Sequence, residues 1–229
     1  MVFLPLADHV RLRTIRFQTV TVLLIAACTV VFLWQTSLTY DALVRAVYAF
    51  GMIPSVLFGY DQLPPSIAVV PAPVTVVTSM FLHGGWLHLL GNMLYLWIFG
   101  DNVEDELGHG RFLVFYLVCG IVAALIQAVA APTSDVPTVG ASGAIAGVLG
   151  AYLVRHPFAR VTVLAFIVLI ELPALVVIGG WIVLQFVNGV LAQGGEGPAG
   201  NVAWWAHIGG FAAGAILINP LRLSRRLAP

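Results

Sequence analysis

Four stretches of this chain, residues 17–34, 112–131, 172–191 and 203–220, are apolar almost without interruption, and each approaches the length of a bilayer crossing. At 1.5 Å rise per residue, about 20 apolar residues span a hydrocarbon core roughly 30 Å thick. A chain with several such runs folds in lipid, where only helices and closed barrels satisfy their own backbone groups. Two shorter apolar runs, 86–99 and 141–154, are bounded by charged or turn residues and bring the expected helices to six. The composition agrees: 60% of residues are hydrophobic and 9% charged, against about 25% charged in ordinary soluble domains. The formal net charge is zero, so nothing in the charge balance points to nucleic acid. The expected fold class is an all-α membrane protein.

Charge placement orients the helices. With a cytoplasmic amino terminus and six crossings, Arg11, Arg13, Arg16, Arg111, Arg155, Arg160, Arg222, Arg225 and Arg226 fall inside and Arg45 outside. Nine of the ten basic residues then obey the positive-inside bias. Both termini are expected in the cytoplasm. The lysine-free, Ala-, Val- and Gly-rich composition suggests a GC-rich bacterial genome, and the expected location is a bacterial inner membrane. Residues 36–85, between the first two crossings, carry Pro54, Pro64, Pro65, Pro71 and Pro73 among many apolar residues, and form a long outer segment expected to lie partly in the interface. Region 161–191 admits two crossings broken at Glu171 and Pro173, or one crossing after an interfacial segment; the arginine count favours the second. The first run lacks a following small-residue cleavage site and is expected to be retained. Cys28 and Cys119 sit in apolar runs and read as packing residues. With no internal repeat or low-complexity tract, one membrane domain is expected over residues 1–229.

Polar residues inside crossings are costly and normally have a partner or a function. Here they are His88 and Asn92 on the second helix, Ser142 on the fourth, Glu171 and Gln185 by the fifth, and His207 on the sixth. At 1.5 Å per residue, Ser142 lies roughly 20 Å above Arg155, His88 roughly 20 Å above Asp101 and His207 roughly 22 Å above Arg222. Three helices thus place these groups at one depth, about 10 Å below the outer edge of the core. A fourth helix starting there leaves backbone N–H groups that protein or water must satisfy, which implies a wet depression open to the outside. Ser142, in Gly140-Ala141-Ser142-Gly143, stands at that helix start as candidate nucleophile. His207 is the candidate general base, and there is no lysine to replace it. His88 and Asn92, four residues apart, share a helix face and suit a developing negative charge. Asp135, Glu196 and Glu171 lie away from that depth, so a Ser–His dyad is expected without a third member. The glycine pairs Gly143/Gly147 and Gly210/Gly214 would bring the two helices together.

Each feature also has an ordinary explanation. A serine beside glycine in a membrane helix is commonly packing, and a His–Asn pair can be an interhelical hydrogen bond. His9, His83, His109 and His156 read as interfacial, with His83 able to brace the outer segment, while Glu171 and Gln185 are assigned to structure or gating. His83 and His88 are five apart without the glutamate of a His-Glu-x-x-His zinc site, so no metal is expected. The common depth favours catalysis.

The segment from His83-Gly84-Gly85-Trp86 through His88 to Asn92, the Gly140-Ala141-Ser142-Gly143 tetrapeptide, and Ala206-His207-Ile208-Gly209-Gly210 with Gly214 following resemble, in this order, motifs of the rhomboid intramembrane serine proteases. Gly51-Met52-Ile53-Pro54, Glu104 to Arg111 and Glu171-Leu172-Pro173 extend the resemblance over nearly the whole chain. It implies a six-transmembrane-helix bundle that cleaves transmembrane or juxtamembrane segments of membrane proteins, without cofactor, through an acyl-enzyme. Ser142 and His207 would be catalytic, and His88 and Asn92 oxyanion-stabilising. Many members carry an aromatic residue one turn after the nucleophile, where this chain has Ala146, leaving Phe211 or Trp205 to support His207. A catalytically inactive, client-binding rhomboid-like protein is the alternative; a small transporter fares worse, because the inner half lacks a comparable polar relay.

Overall fold

The computed structural model describes residues 3–192 and 203–222. Arg225, Arg226 and Glu196 lie outside the described residues. Each of the six apolar runs is helical: α1 (Thr19–Ser37), α5 (Trp86–Leu107), α6 (His109–Ala130), α7 (Ser142–Arg155), α8 (Ala174–Ala192) and α9 (Trp204–Leu221). Three of these, α1, α6 and α8, are long and apolar enough to cross a membrane. A fourth candidate pairs α5 with residues 72–81, bent by 81° at the break. Between α1 and α5 the chain forms three short helices, α2 (Tyr40–Phe50), α3 (Pro54–Leu57) and α4 (Ala72–Thr78). Prolines in the first turns of α3 and α4 suit positions where no backbone N–H is required. His83 braces the end of α1: its N–H donates to Gln35 Oε1 at 3.0 Å, and Gln35 Nε2 donates back to its carbonyl at 3.2 Å.

The second helix does not stop at residue 99 but continues to Leu107, because protein partners take up the polar groups expected to mark its exit into water. Glu104 is fully buried. Its carboxylate accepts from the N–H groups of Val20 and Thr21 at 2.9 and 2.8 Å and from the Thr21 hydroxyl at 2.7 Å. It thereby caps α1, whose own first residues supply no side-chain cap. Asp105 accepts from the backbone N–H groups of Arg13, Thr14 and Ile15, tying down the approach to α1.

The chain is not all-α. Strands β1 (Phe3–Asp8), β2 (Arg160–Ala165) and β3 (Val168–Pro173) form an antiparallel sheet in the order β1-β2-β3. Hydropathy hides this sheet, because alternation of β-branched residues in Arg160-Val161-Thr162-Val163 looks like part of a longer apolar run. Val161 and Val163 are fully buried while Arg160 points outward, the period-two pattern of a strand. Residues 161–173 are therefore no crossing; a hairpin precedes α8. The sheet is tied to the bundle through Asp8, whose carboxylate accepts from Tyr152 Oη at 2.7 Å and Asn102 Nδ2 at 2.9 Å. Burial raises the pKa of Asp8 above its ordinary value, a shift that the Tyr152 bond opposes.

Candidate active site

The site is assembled from the start of α7 and three neighbouring helices. Gly140 takes φ +124°, a conformation L side chains avoid, and its N–H donates to the Ser79 carbonyl at 2.9 Å. A Cβ there would stand 2.7 Å from His88 Cε1 and 3.8 Å from Asn92 Nδ2, so the loop passes directly over both side chains. Ala141 then turns into helical geometry, and Ser142 is the first residue of α7. The first-turn N–H groups of α7 have no intrahelical partner and carry the positive end of the helix dipole.

Close packing of α7 on α9 brings His207 to Ser142. A Cβ on Gly210 would overlap the carbonyl of Gly143, and one on Gly214 would overlap that of Gly147, so the expected glycine faces do meet. At this approach His207 Nε2 lies 2.8 Å from Ser142 Oγ. Nδ1 on the other side of the ring lies 2.7 Å from Gln185 Oε1. The rings beside His207 belong to Trp181, with centroids 5.7 Å apart, and Trp204, at 6.4 Å. Among the described residues no ring contact joins Phe211 or Trp205 to His207; Trp205 faces Phe186, and Ala146 is fully buried within the bundle. Trp181 and Gln185 are four apart on α8 and reach the same ring, a relation that i, i+4 spacing makes legible only once α8 is known to face α9.

On α5, His88 Nδ1 accepts from the Gly84 N–H at 3.3 Å, which leaves the hydrogen on Nε2. Asn92 Nδ2 is buried and has no hydrogen-bond partner among the described residues. His88, Asn92, Ser142, Trp181, Gln185 and His207 all line one cavity of about 1190 Å³. Glu171 is not among the lining residues; it pairs with Arg160 on the sheet at 2.9 Å.

Comparison with known families places this arrangement. Residues 71–223, more than half of the chain, match the Rhomboid domain. The chain belongs to the rhomboid family. The match takes in all the site residues on α5, α7, α8 and α9, whereas β1 and α1 to α3 precede it. Among curated relatives, Rhomboid protein 1, mitochondrial, of Saccharomyces cerevisiae is 29% identical over 185 residues, covering 74% of this chain and 51% of that protein. Putative rhomboid protease YdcA of Bacillus subtilis is 31% identical over 153 residues, covering 62% of this chain and 64% of the relative. Rhomboid protease GluP of the same bacterium is 46% identical over 78 residues, 34% of this chain and 15% of the relative. The chain thus spans less than two thirds of the length of each of these relatives. Rhomboid membership and the apolar helices α1, α6 and α8 together identify an integral membrane protein.

Proposed function

We propose that this rhomboid is an intramembrane serine endopeptidase that cleaves transmembrane or juxtamembrane segments of other membrane proteins. The observation that carries the reading is the 2.8 Å contact between Ser142 Oγ and His207 Nε2 inside a cavity large enough for an extended segment. Ser142 Oγ attacks the scissile carbonyl carbon while its proton passes to His207 Nε2. The carbonyl oxygen becomes an oxyanion facing His88 Nε2–H, the Asn92 Nδ2–H groups and the first-turn N–H groups of α7. Collapse breaks the C–N bond, and the imidazolium returns its proton to the leaving amine. A water molecule, deprotonated by the same imidazole, then attacks the acyl carbon; the C–Oγ ester bond breaks, the acid product leaves and the imidazolium returns its proton to Ser142 Oγ. No cofactor takes part.

In this reading one membrane domain crosses the bilayer six times, through α1 and α5 to α9, in a bacterial inner membrane with both termini cytoplasmic. Segment 36–85 lies on the outer side. The arginine distribution supports that orientation. The sequence alternative, a client-binding protein without activity, is separated by one experiment. The full chain is reconstituted in liposomes with a panel of single-span membrane proteins, and wild type is compared with Ser142→Ala. Cleavage by wild type that vanishes in Ser142→Ala supports the protease. Cleavage that persists in the variant, or binding without cleavage by wild type, overturns it.

A further inference from the structure

The amide of Gln185 joins the Ser–His pair from a third helix. Its Oε1 stands 2.7 Å from His207 Nδ1 in a buried contact, and the residue itself is 8% exposed. An amide oxygen only accepts, so this bond requires the hydrogen on Nδ1. The imidazole then turns a bare Nε2 lone pair toward Ser142 Oγ, which is the form a general base needs. With no acceptor at Nδ1, the neutral ring is free to carry its hydrogen on Nε2 and face the serine as a donor. When the serine proton arrives, both ring nitrogens become donors, and Gln185 Oε1 receives the Nδ1–H of a cation through a buried contact, where a charged hydrogen bond counts for more than a neutral one.

We propose that Gln185 is a positioning residue for the reaction assigned above: it holds His207 in the Nδ1–H tautomer and supports the imidazolium that forms on proton transfer. The inference rests on the Ser142–His207 reading and supplies the third group that the sequence lacks at acidic positions. It also links the base to the docking of α8. That helix contributes few buried residues; Ala174, Ile178 and Gln185 are buried, while Val183, Leu184 and Val187 are exposed. Trp181, one turn before Gln185, sets its ring against His207 from the same face.

The test uses the full chain in liposomes and one cleaved substrate, with Gln185→Leu, which removes the acceptor at similar size, and Gln185→Glu, which keeps one. Gln185→Leu is expected to lower kcat and the rate of fluorophosphonate labelling at Ser142 by roughly 10- to 100-fold, the worth of a hydrogen bond to a charged group. KM and the thermal unfolding midpoint should stay near wild type. Gln185→Glu is expected to recover most of the labelling rate, which a merely structural role would not predict. A Gln185→Leu rate equal to wild type overturns the inference, as does a loss confined to KM or an equal loss in both variants. Ser142→Ala tells the two readings apart. Cleavage that persists there removes the Ser–His assignment itself, whereas a silent Ser142→Ala beside a fully active Gln185→Leu removes only the role of Gln185.

Discussion

His207 Nε2 lies 2.8 Å from Ser142 Oγ across 65 residues of sequence, and two pairs of glycines on α7 and α9 set that distance. If the pair is a working dyad, a fluorophosphonate probe should label wild type at Ser142 and fail on both Ser142→Ala and His207→Ala. Peptide mapping of the labelled chain is the measurement. A probe adduct on any other serine would mean that the nucleophile has been misassigned.

Asn92 is expected to act on the transition state rather than on substrate affinity, because its buried Nδ2 has no hydrogen-bond partner among the described residues and the residue lines the same cavity as Ser142. Loss of one oxyanion donor typically lowers turnover by about 10²- to 10³-fold. Steady-state kinetics of Asn92→Ala should show that fall in kcat with KM little changed. A raised KM with intact kcat would move Asn92 to a binding role.

Gly214→Ala places a methyl group on the carbonyl of Gly147 and should force α9 away from α7. Such overpacking costs about 1–3 kcal/mol, and the widened gap should also reduce probe labelling of Ser142. Gly110 in α6 has nothing near its absent Cβ, so Gly110→Ala should leave stability unchanged or raise it by about 0.5–1 kcal/mol. Thermal unfolding of the two variants in the same detergent compares them directly; equal midpoints would remove the close-approach role of Gly214.

Glu104→Ala leaves the first N–H groups of α1 without their carboxylate acceptor inside the protein. The expected cost is about 1–3 kcal/mol per unsatisfied group, read as a lower unfolding midpoint. Hydrogen exchange should rise at Val20 and Thr21 and not in α7. Unchanged protection at these two amides would show that Glu104 is not the cap of α1.

Topology is checked with cysteines in a chain whose buried Cys28 and Cys119 are first replaced by Ala. A cysteine at the exposed Tyr60 should react with an impermeant thiol reagent added outside, and one at Ile167, on the tip of the β2–β3 hairpin, only after the membrane is opened. The opposite pattern would discard the orientation drawn from nine arginines.

Membrane residence and the six helical runs were legible in the sequence, because hydropathy and rise per residue are properties of a continuous segment. For the same reason Ser142, His207, His88 and Asn92 stood out: a polar group within an apolar helix has a depth that can be counted from the nearest charge. Helix α5 runs past the apolar run that ends at residue 99, although Asn102, Glu104 and Asp105 look like an exit into water until their distant partners are known. Strands β2 and β3 fall where the sequence offers an interfacial segment before the crossing, for a related reason: β1 lies about 150 residues earlier in the chain, and pairing across that separation leaves no local mark.

What the sequence by itself supplied, then, is an expected common depth for a few polar residues, counted along their helices. Tertiary structure alone decided which of them touch. Whether Gln185 meets His207 depends on the rotation of α8 about its axis, and α8 is apolar on almost every side, so its pattern does not say which face turns inward. Packing against α9 selects that face, placing Trp181 and Gln185 on the histidine ring where sequence pointed to Phe211 or Trp205. Depth is set by counting residues along one helix. Contact is set by the shapes of two helices meeting, here by the absent side chains of Gly210 and Gly214.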